Sequence, residues 1–244
     1  MITMPLEITE QSNLMLQPAP AILSPTLAAK VVHEGLGHMA EGDCIGKNIN
    51  SGALFNLPPL SPAITVVDYA HTAFGKAVPL PVYTDTEGTT AQDVTIIKNG
   101  KPHGVMTHKA SAATLGLQPT GNANGGIVRM RNTALLPGSS KLEAMLATIQ
   151  YGYYLEDSLW DSADPAYGDF ASHISKGYYI RNGTICEPLP PCIIHCEAKE
   201  FWPSVTMVGS DFAWITDECT KEDKKIMVAA GAPSIRCVVW IGRL

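Results

Sequence analysis

Residues 24–43 of the chain read SPTLAAKVVHEGLGHMAEGD. Ser24 and Pro25 predict the start of a helix, because serine is a favoured N-cap residue and proline fits the first helical position. Apolar residues then recur at helical spacing, and the pattern predicts a helix that runs to about Gly42. Two histidines and a glutamate lie inside this helix, so it carries the strongest candidate chemistry in the sequence.

His33, Glu34 and His38 form the pattern H-E-x-x-x-H, one residue longer than H-E-x-x-H, in which two imidazoles bind zinc and the glutamate activates water. In a regular α-helix the two histidines would lie about 140° apart around the axis, too far to share one ion. A π-type turn of about 4.4 residues would reduce this angle to roughly 50°. Two glycines between the histidines weaken a regular helix, so we predict a π-bulge or a break at residues 34–38. The alternative is a helix with two unrelated histidines.

A catalytic zinc ion needs a third protein ligand and an open position for water, and spacing alone leaves the third ligand open. Glu41 and Asp43 lie close to the histidines, but they are better suited to supporting the ligands or to the turn after the helix. Cys44 is interpreted as a small apolar residue. Cys219 lies in a polar segment, which is unusual for a merely buried thiol.

A second metal cluster is a further hypothesis, because Cys192, His195 and Cys196 form a C-x-x-H-C pattern after two prolines. Sulfur and imidazole ligands at short spacing occur in zinc sites. The pattern also fits a β-strand whose cysteines pack in the core, and we prefer that interpretation.

The composition is typical of a folded globular chain. The sequence has 244 residues, a net charge of −6 and 45% apolar residues, which is enough to form one core. The negative charge argues against a nucleic-acid partner. The sequence contains no run of about 18 apolar residues, which is the length that could span a membrane. The first residues lack the basic and apolar segments of a secretory signal. We therefore expect a cytoplasmic protein whose cysteines are not paired in disulfides.

The rest of the chain predicts mainly β-structure. Asn99-Gly100 and Asn182-Gly183 each lie between short apolar runs, and both dipeptides favour the positive φ angles of tight hairpin turns. Further strands are predicted in the ranges 64–69, 205–208, 212–215 and 235–241.

A second helix is predicted around residues 140–151. Ser140 and Glu143 form a capping-box pattern, apolar residues then lie on one face, and Gly152 marks the end. Two helices among many hairpins indicate the α+β fold class. We therefore predict a single antiparallel-sheet-rich domain with a zinc-binding helix near the N-terminus and one further helix around residues 140–151.

The segment at residues 33–43 closely resembles the signature of the TldD/PmbA family of metallopeptidases. Further motifs resemble blocks of the family's C-terminal half, in their usual order: PTGN (119–122), RMRNT (129–133), LPG (136–138), MVGSD (207–211), CTKE (219–222) and AGAP (230–233). The resemblance covers roughly residues 20–240. So many motifs in the same order argue against coincidence.

The resemblance implies that one zinc ion per chain is bound by His33, His38 and Cys219, and that Glu34 is the general base that activates the zinc-bound water. It also implies hydrolysis of amide bonds in short or unfolded peptides, during peptide maturation or clearance. Family members act as dimers, so we expect a homodimer or a heterodimer with a related subunit. A thiolate beside two imidazoles favours zinc over harder metal ions.

The resemblance divides the chain into a lead-in at residues 1–20 and a TldD/PmbA-like C-terminal metallopeptidase domain at residues 21–244. Family members usually carry a second domain ahead of the zinc helix, and we expect its role to be absent, rebuilt by the dimer or supplied by another chain. They also have a glycine-rich stretch where this chain has an acidic, Trp-bearing segment at residues 156–165. We interpret that segment as a loop, either a substrate-specific insert or a solvated surface loop.

Four other side chains are candidates for a donor that stabilises the oxyanion of amide hydrolysis or for a supporting role beside the ligands: His71, His108, Arg129 and Arg131. Each also fits an ordinary surface or core residue, and we prefer that interpretation. Two rival functions remain, an amide hydrolase acting on a small biosynthetic intermediate and a non-catalytic zinc-binding partner protein. Glu34 argues against the second rival, because a structural zinc site needs no general base.

Overall fold

The computed structural model of the chain describes residues 16–46, 50, 52–164 and 168–243. Most of the lead-in at residues 1–20 therefore lies outside the described residues. Within them, two β-sheets cover the helix that leads into the histidines, and shorter helices and hairpins connect the strands.

The described residues form four α-helices: α1 (Pro25–Val32), α2 (Lys109–Leu115), α3 (Leu142–Leu146) and α4 (Ala198–Ser204). None of these helices is long and apolar enough to cross a membrane. The strands of the described residues are β1 (Gln17–Leu23), β2 (Val66–Tyr69), β3 (Thr72–Ala73), β4 (Lys76–Ala77), β5 (Val94–Lys98), β6 (Lys101–Pro102), β7 (Ala123–Asn124), β8 (Ile127–Val128), β9 (Asn132–Leu135), β10 (Tyr151–Asp164), β11 (Asp169–Arg181), β12 (Thr184–Pro188), β13 (Cys192–Cys196), β14 (Met207–Val208), β15 (Ala213–Lys221), β16 (Lys224–Ala232) and β17 (Ile235–Arg243).

Five of the described strands close into a barrel in the order β1, β10, β11, β13 and β17, and β17 returns to β1. β1 pairs in parallel with β10, with Ala21 opposite Tyr153, whereas its pairing with β17 is antiparallel, with Ala21 opposite Cys237. β12 and β14 extend this sheet from β11 and β17. Closure therefore pairs both edges of β1, so neither edge is left open.

The second sheet contains six of the described strands, in the order β15, β16, β9, β2, β5 and β6. β9 and β16 are parallel, and the other neighbouring strands are antiparallel. α1 lies between this sheet and β10 of the barrel. Because both layers cover α1, its residues Leu27, Ala28, Val31 and Val32 are buried, as expected of a helix that is apolar on more than one side.

The predicted fold class is wrong in three respects. Both main sheets are mixed, because β1 is parallel to β10 in the barrel and β9 is parallel to β16 in the second sheet. The barrel is closed by strands from opposite ends of the described chain, and hairpin signals between neighbouring segments cannot indicate such a pairing. The described residues also form four α-helices, whereas the sequence patterns predict two.

The second predicted helix is much shorter than residues 140–151. α3 covers Leu142–Leu146, and its N-cap is Lys141, without the capping hydrogen bond predicted for Ser140. Ser140 instead forms a backbone bridge with Gly209. Pairing with a distant segment thus overrides the local helix signal at this position.

Both predicted hairpin turns are confirmed. Asn99 and Gly100 join β5 to β6 with φ angles of 49° and 76°. Asn182 and Gly183 join β11 to β12 with φ angles of 48° and 75°. Asparagine and glycine tolerate this left-handed backbone region better than other residues, so the local signal and the fold agree.

The acidic segment predicted as a loop at residues 156–165 is instead a strand as far as Asp164, and residue 165 lies outside the described residues. The segment belongs to β10 and pairs with β11 of the barrel. The ladder between these two strands is irregular in this region, and bulges of this kind change the direction of individual side chains.

Candidate metal centre

The two candidate ligand histidines lie on a π-helical turn. α1 ends at Val32, the π turn covers His33–Gly37, and a 3-10 turn follows at His38–Ala40. The backbone N–H of His38 donates to the carbonyl of His33, five residues earlier. The predicted π-bulge is therefore confirmed, and it brings the two imidazole rings to a centroid separation of 4.9 Å.

Cys219 completes a group of three buried donors. One ligand atom from each of His33, His38 and Cys219 lies within 4.8 Å of the other two. Nε2 of His38 is 3.4 Å from Sγ of Cys219. A tetrahedral zinc site places such a pair about 3.6 Å apart, given the usual Zn–N and Zn–S lengths. Two imidazoles and a thiol therefore fit zinc in both donor chemistry and spacing.

Arg129 holds the backbone on which Cys219 lies. Cys219 is in β15, opposite Ile226 of β16. The buried guanidinium of Arg129 donates to the carbonyls of Cys219 at 2.8 Å and Lys224 at 3.0 Å, so it connects both strands of the hairpin. These donors are directed at the protein backbone, which places Arg129 in a supporting position behind the thiol.

A series of ionic contacts supports His38 through its other ring nitrogen. Nδ1 of His38 lies 3.1 Å from Oε2 of the fully buried Glu41. The same carboxylate oxygen is 3.0 Å from Nζ of Lys221, which is also 2.6 Å from Oδ1 of Asp43. A carboxylate in this position orients a ligand imidazole and increases its basicity. Glu41 is thus placed to orient His38, and Asp43 to hold Lys221.

The two histidines differ in protonation because their surroundings differ. Burial and the charges of His38 and Arg129 lower the pKa of His33 well below its ordinary value, and the buried Nδ1 of His33 has no hydrogen-bond partner among the described residues. Burial also opposes a charge on His38, but its contacts with Cys219, Glu41 and Glu34 outweigh this effect and raise its pKa to about 10. Protons and a metal ion compete for such nitrogens, so acid should weaken metal binding.

Glu34 lies beside both imidazoles. Its Oε2 is 3.8 Å from Nε2 of His38, and its Oε1 is 4.0 Å from Nε2 of His33. Burial raises the pKa of Glu34 to about 7, and the charge of His38 only partly offsets this effect. A carboxyl group with a pKa near neutrality can both accept and release a proton under physiological conditions, which is what a general base requires.

A cleft of about 490 Å³ opens in front of Glu34, His38 and Cys219. Its other walls come from residues 161–163 of β10 and residues 218–221 of β15. A smaller cleft shares Glu34, Asp161 and Glu218 with the first one and also contacts His33. The donor group therefore faces space that a substrate could occupy, with strands of the barrel and of the second sheet on either side.

Asp161 is a residue of this cleft that the sequence interpretation missed. Burial raises the pKa of its carboxyl group, and the hydroxyls of Ser172 and Ser158 and the charge of Lys30 act against this shift. The available signal was the acidic composition of residues 156–165. Composition alone does not say which acid of the segment faces the cleft, because strand pairing decides this.

The remaining candidate donors lie in contacts of their own. Arg131 donates to Asp68 at 2.9 Å and to two backbone carbonyls. His108 caps the N-terminus of α2 with its side chain, and His71 stacks on Tyr83. None of these three candidates lines the two clefts formed by the described residues, so the structure does not bring them to the three donors.

The C-x-x-H-C pattern does not gather its donors in the structure. Cys192 and Cys196 are buried on one face of β13, and the half-buried His195 lies on the other face. Among the described residues, the second group of converging donors consists of Glu41, Asp43 and Cys44. Those acids already contact Lys221, so an ammonium group takes the place that a cation would need.

A sequence pattern for the PmbA/TldA metallopeptidase C-terminal domain matches residues 17–239. A protein named Metalloprotease from Methanothermobacter thermautotrophicus is 31% identical over 224 residues, which cover 88% of this chain and 48% of that protein. A protein named Zinc metalloprotease TldD homolog from Saccharolobus solfataricus is also 31% identical, with 89% of this chain and 49% of that protein covered.

The crystal structure of TldE from Thermococcus kodakarensis covers 91% of this chain and 50% of its own, with a TM-score of 0.64. Its 18% sequence identity supports a shared fold alone. The chain spans about half the length of the curated relatives that it matches. Zinc is consistent with the name of one relative and with the converging donors. Because the family pattern extends over nearly the whole described chain, the predicted resemblance is confirmed, and this chain belongs to the TldD/PmbA family of metallopeptidases through its C-terminal domain.

Proposed function

We propose that the chain hydrolyses amide bonds of peptides, with one zinc ion held by His33, His38 and Cys219. The observation that carries this proposal is the position of Glu34, whose half-buried carboxyl group lies within 4.0 Å of both imidazoles. A structural zinc site uses four protein ligands and needs no such group. Three donors, a general base and an adjoining cleft together suit catalysis.

The reaction uses Glu34 as a carrier of one proton. When bound, zinc supplies a Lewis acid that polarises the substrate carbonyl and increases the acidity of water. Glu34 accepts a proton from the attacking water while the water oxygen forms a bond to the carbonyl carbon. Glu34 then releases that proton to the amide nitrogen as the C–N bond breaks, which yields a carboxylic acid and an amine. The carboxylate of Glu34 is thereby restored.

The strand that carries Cys219 suits a peptide substrate. In the described part of the chain, β15 pairs with β16 and forms one edge of the second sheet. Residues 217–221 of this strand line the two clefts. An extended peptide can add to a free edge through main-chain hydrogen bonds, and this binding mode tolerates varied side chains. The edge therefore supports short or unfolded peptides as substrates.

The first test is the zinc content of freshly purified protein and of matched cysteine variants. We expect about one zinc ion per chain in the wild type, because the site has three protein ligands and one open position. Cys219→Ser should lose most of the metal, whereas Cys192→Ser, which replaces a buried cysteine of the barrel, should retain it. Equal zinc content in both variants would exclude Cys219 as a ligand.

The second test separates catalysis from metal binding. Glu34→Gln keeps the size of the side chain but cannot accept a proton, so peptide hydrolysis should fall by about 10²- to 10⁴-fold while zinc remains bound. The substrates are short unstructured peptides, followed by mass spectrometry. Unchanged turnover in this variant would exclude the proposed general base.

The two rival functions give different results in the same experiments. A hydrolase of a small biosynthetic intermediate would leave peptides intact and cleave small acylated amines, again in a Glu34-dependent way. A non-catalytic zinc-binding partner protein would bind zinc and cleave neither class. Cleavage of peptides with a Glu34 dependence would exclude both rivals.

The oligomeric assembly and the cellular location concern the protein as a whole. We propose a homodimer or a heterodimer with a related subunit, in the cytoplasm, on the basis of the family to which the chain belongs. Light scattering of the purified chain, alone and with a related subunit, measures the assembly directly. A monomer under both conditions would exclude the dimer.

A further inference from the structure

A β-bulge determines where Asp161 lies. In the ladder between β10 and β11, Ser158 is opposite Ile174, and the next pair joins Asp161 to Ser172. Two residues of β10 therefore lie opposite a single residue of β11. An extra residue of this kind rotates the strand and redirects the following side chains, and Asp161 here lines both clefts beside Glu34.

The hydroxyls of Ser158 and Ser172 both act on the carboxylate of Asp161, and the contact with Ser158 is short. Oγ of Ser158 donates to Oδ2 of Asp161 at 2.8 Å. Oδ1 is buried and has no hydrogen-bond partner among the described residues. The side chain as a whole is 11% exposed. A buried carboxylate oxygen without a partner is costly, so a further hydrogen-bond donor would stabilise the carboxylate of Asp161.

The ammonium group of Lys30 forms only a long ion pair with Asp161. Nζ of Lys30 is 4.0 Å from Oδ2 of Asp161. Its short contacts are instead with Asp157 Oδ1 at 2.8 Å and with the carbonyl of Ser158 at 2.8 Å. The ammonium group of Lys30 thus lies on the Oδ2 side and forms no short ion pair with Asp161.

The other acids of the larger cleft already have partners or a different role. Glu41 contacts Lys221 at 3.0 Å, and the exposed Glu218 lies 3.7 Å from Lys225. Glu34 is the proposed general base. Asp161 is therefore the acid in this cleft that has neither a short ion pair nor another proposed role, and it lines the cleft together with Glu34.

We propose that Asp161 binds a cationic nitrogen group of the substrate close to the bond that is cleaved. This inference rests on the proposed function, because it names the class of substrate for the same site. An ammonium or guanidinium group would donate a charge-assisted hydrogen bond to the carboxylate of Asp161. A peptide can supply this chemistry from two sources, its free N-terminal amine or a lysine or arginine side chain.

The test measures binding separately from turnover. The zinc-loaded Glu34→Gln variant is titrated by calorimetry with two matched pairs of short peptides. One pair is a trialanine amide with a free or an acetylated N-terminus, and the other is an acetylated tripeptide amide with lysine or norleucine in the centre. We expect the charged member of at least one pair to bind about 10- to 100-fold more tightly, as for a hydrogen bond between charged groups. The pair that shows the difference identifies the source of the cation.

The Asp161→Asn substitution, made in the same Glu34→Gln background, should remove this preference and leave the affinity for the uncharged peptides unchanged. Glu143→Gln is the matched control, because it removes one negative charge from an exposed position on α3 and should preserve the preference. Metal content is measured for each variant. An equal loss of affinity for charged and uncharged peptides would show a merely structural role for Asp161 and overturn the proposal.

The two proposals can fail separately. If wild-type protein cleaves uncharged peptides as readily as charged ones, and binding shows no preference, the function stands and the role of Asp161 is excluded. If charged peptides bind preferentially but nothing is cleaved, the hydrolytic function is excluded and the cation site at Asp161 stands. Absence of both preference and cleavage overturns both proposals.

Discussion

At the scale of single residues, His38 has a different partner at each nitrogen of its ring. Nδ1 faces Glu41 at 3.1 Å, and Nε2 faces Cys219 at 3.4 Å. The carboxylate of Glu41 is fully buried and also contacts Lys221. Such a carboxylate limits rotation of the imidazole and selects one tautomer, so the affinity of the site for metal should depend on a residue that does not contact the metal.

Replacing Glu41 by Gln should lower the affinity for zinc by about 10- to 100-fold, the usual effect of removing a carboxylate that orients a ligand histidine. The measurement is competition with a chromophoric chelator at constant pH. Glu187→Gln is the control, because Glu187 forms an exposed ion pair with Arg181 away from the site. Equal zinc affinity in the Glu41 variant and the wild type would contradict the orienting role.

At the scale of elements, the π turn depends on a close approach between Gly37 and Met130. A Cβ atom at Gly37 would lie 2.0 Å from Sδ of Met130, and Met130 is buried. Helix propensity alone favours alanine over glycine by about 1 kcal/mol. The steric overlap acts in the opposite direction, and we expect it to be the larger effect because the buried side chain of Met130 must be displaced.

The Gly37→Ala substitution should therefore destabilise the metal-free protein by about 1–3 kcal/mol, as is typical of overpacked cores. In a Met130→Ala background the same substitution should cost less, with a coupling free energy of about 0.5–3 kcal/mol between the two positions. Urea unfolding of the four proteins in the double-mutant cycle gives this energy. A destabilisation that does not depend on Met130 would point to backbone strain instead of overlap.

At the scale of the whole molecule, the three donors connect distant parts of the chain. His38 and Cys219 are 181 positions apart, one on the turn after α1 and the other on β15. α1 lies between the barrel and the second sheet. A bound ion would therefore link the turn after α1 to an edge strand of the second sheet, and binding to the folded state alone would increase the free energy of unfolding.

Removing the metal with a chelator should lower the melting temperature of the wild type. With free zinc at about 1,000 times its dissociation constant, the loss is about 4 kcal/mol, which corresponds to roughly 10 °C for a chain of this size. Differential scanning calorimetry measures the shift. Cys219→Ser should melt at the same temperature with and without chelator, and an equal shift in that variant would mean that the metal binds elsewhere.

Features that depend on neighbouring residues could be predicted from the sequence. Ser24 accepts a hydrogen bond from the backbone N–H of Leu27 and Pro25 begins α1, as their order along the chain indicates. The spacing between the histidines predicts the π turn, because only a wider turn places both rings on one side. Each of these signals spans a few residues, so the fold around them has little freedom to change the outcome.

Long-range pairing decided the other features of the fold, including those that the sequence patterns predicted wrongly. Ser140 is predicted to cap a helix, but it forms a bridge with Gly209. The acidic residues before Asp164 are predicted to form a loop, but they pair with β11. Arg129 and Arg131 both read as candidate oxyanion donors, although their guanidinium groups donate to backbone carbonyls and to Asp68. A sequence pattern carries no information on which distant group will meet a side chain.

The sequence by itself determined the family, the start of α1, the tight hairpin turns and the turn that presents His33 and His38. Spacing alone left the third donor open, and the resemblance to the family indicated Cys219. Only the tertiary structure decided that the barrel closes, that Cys219 lies 3.4 Å from His38, and that Asp161 lines the cleft. The physical reason is that local signals act through backbone angles of adjacent residues. The position of a distant strand depends instead on which pairing buries the most apolar surface and satisfies the most backbone hydrogen bonds.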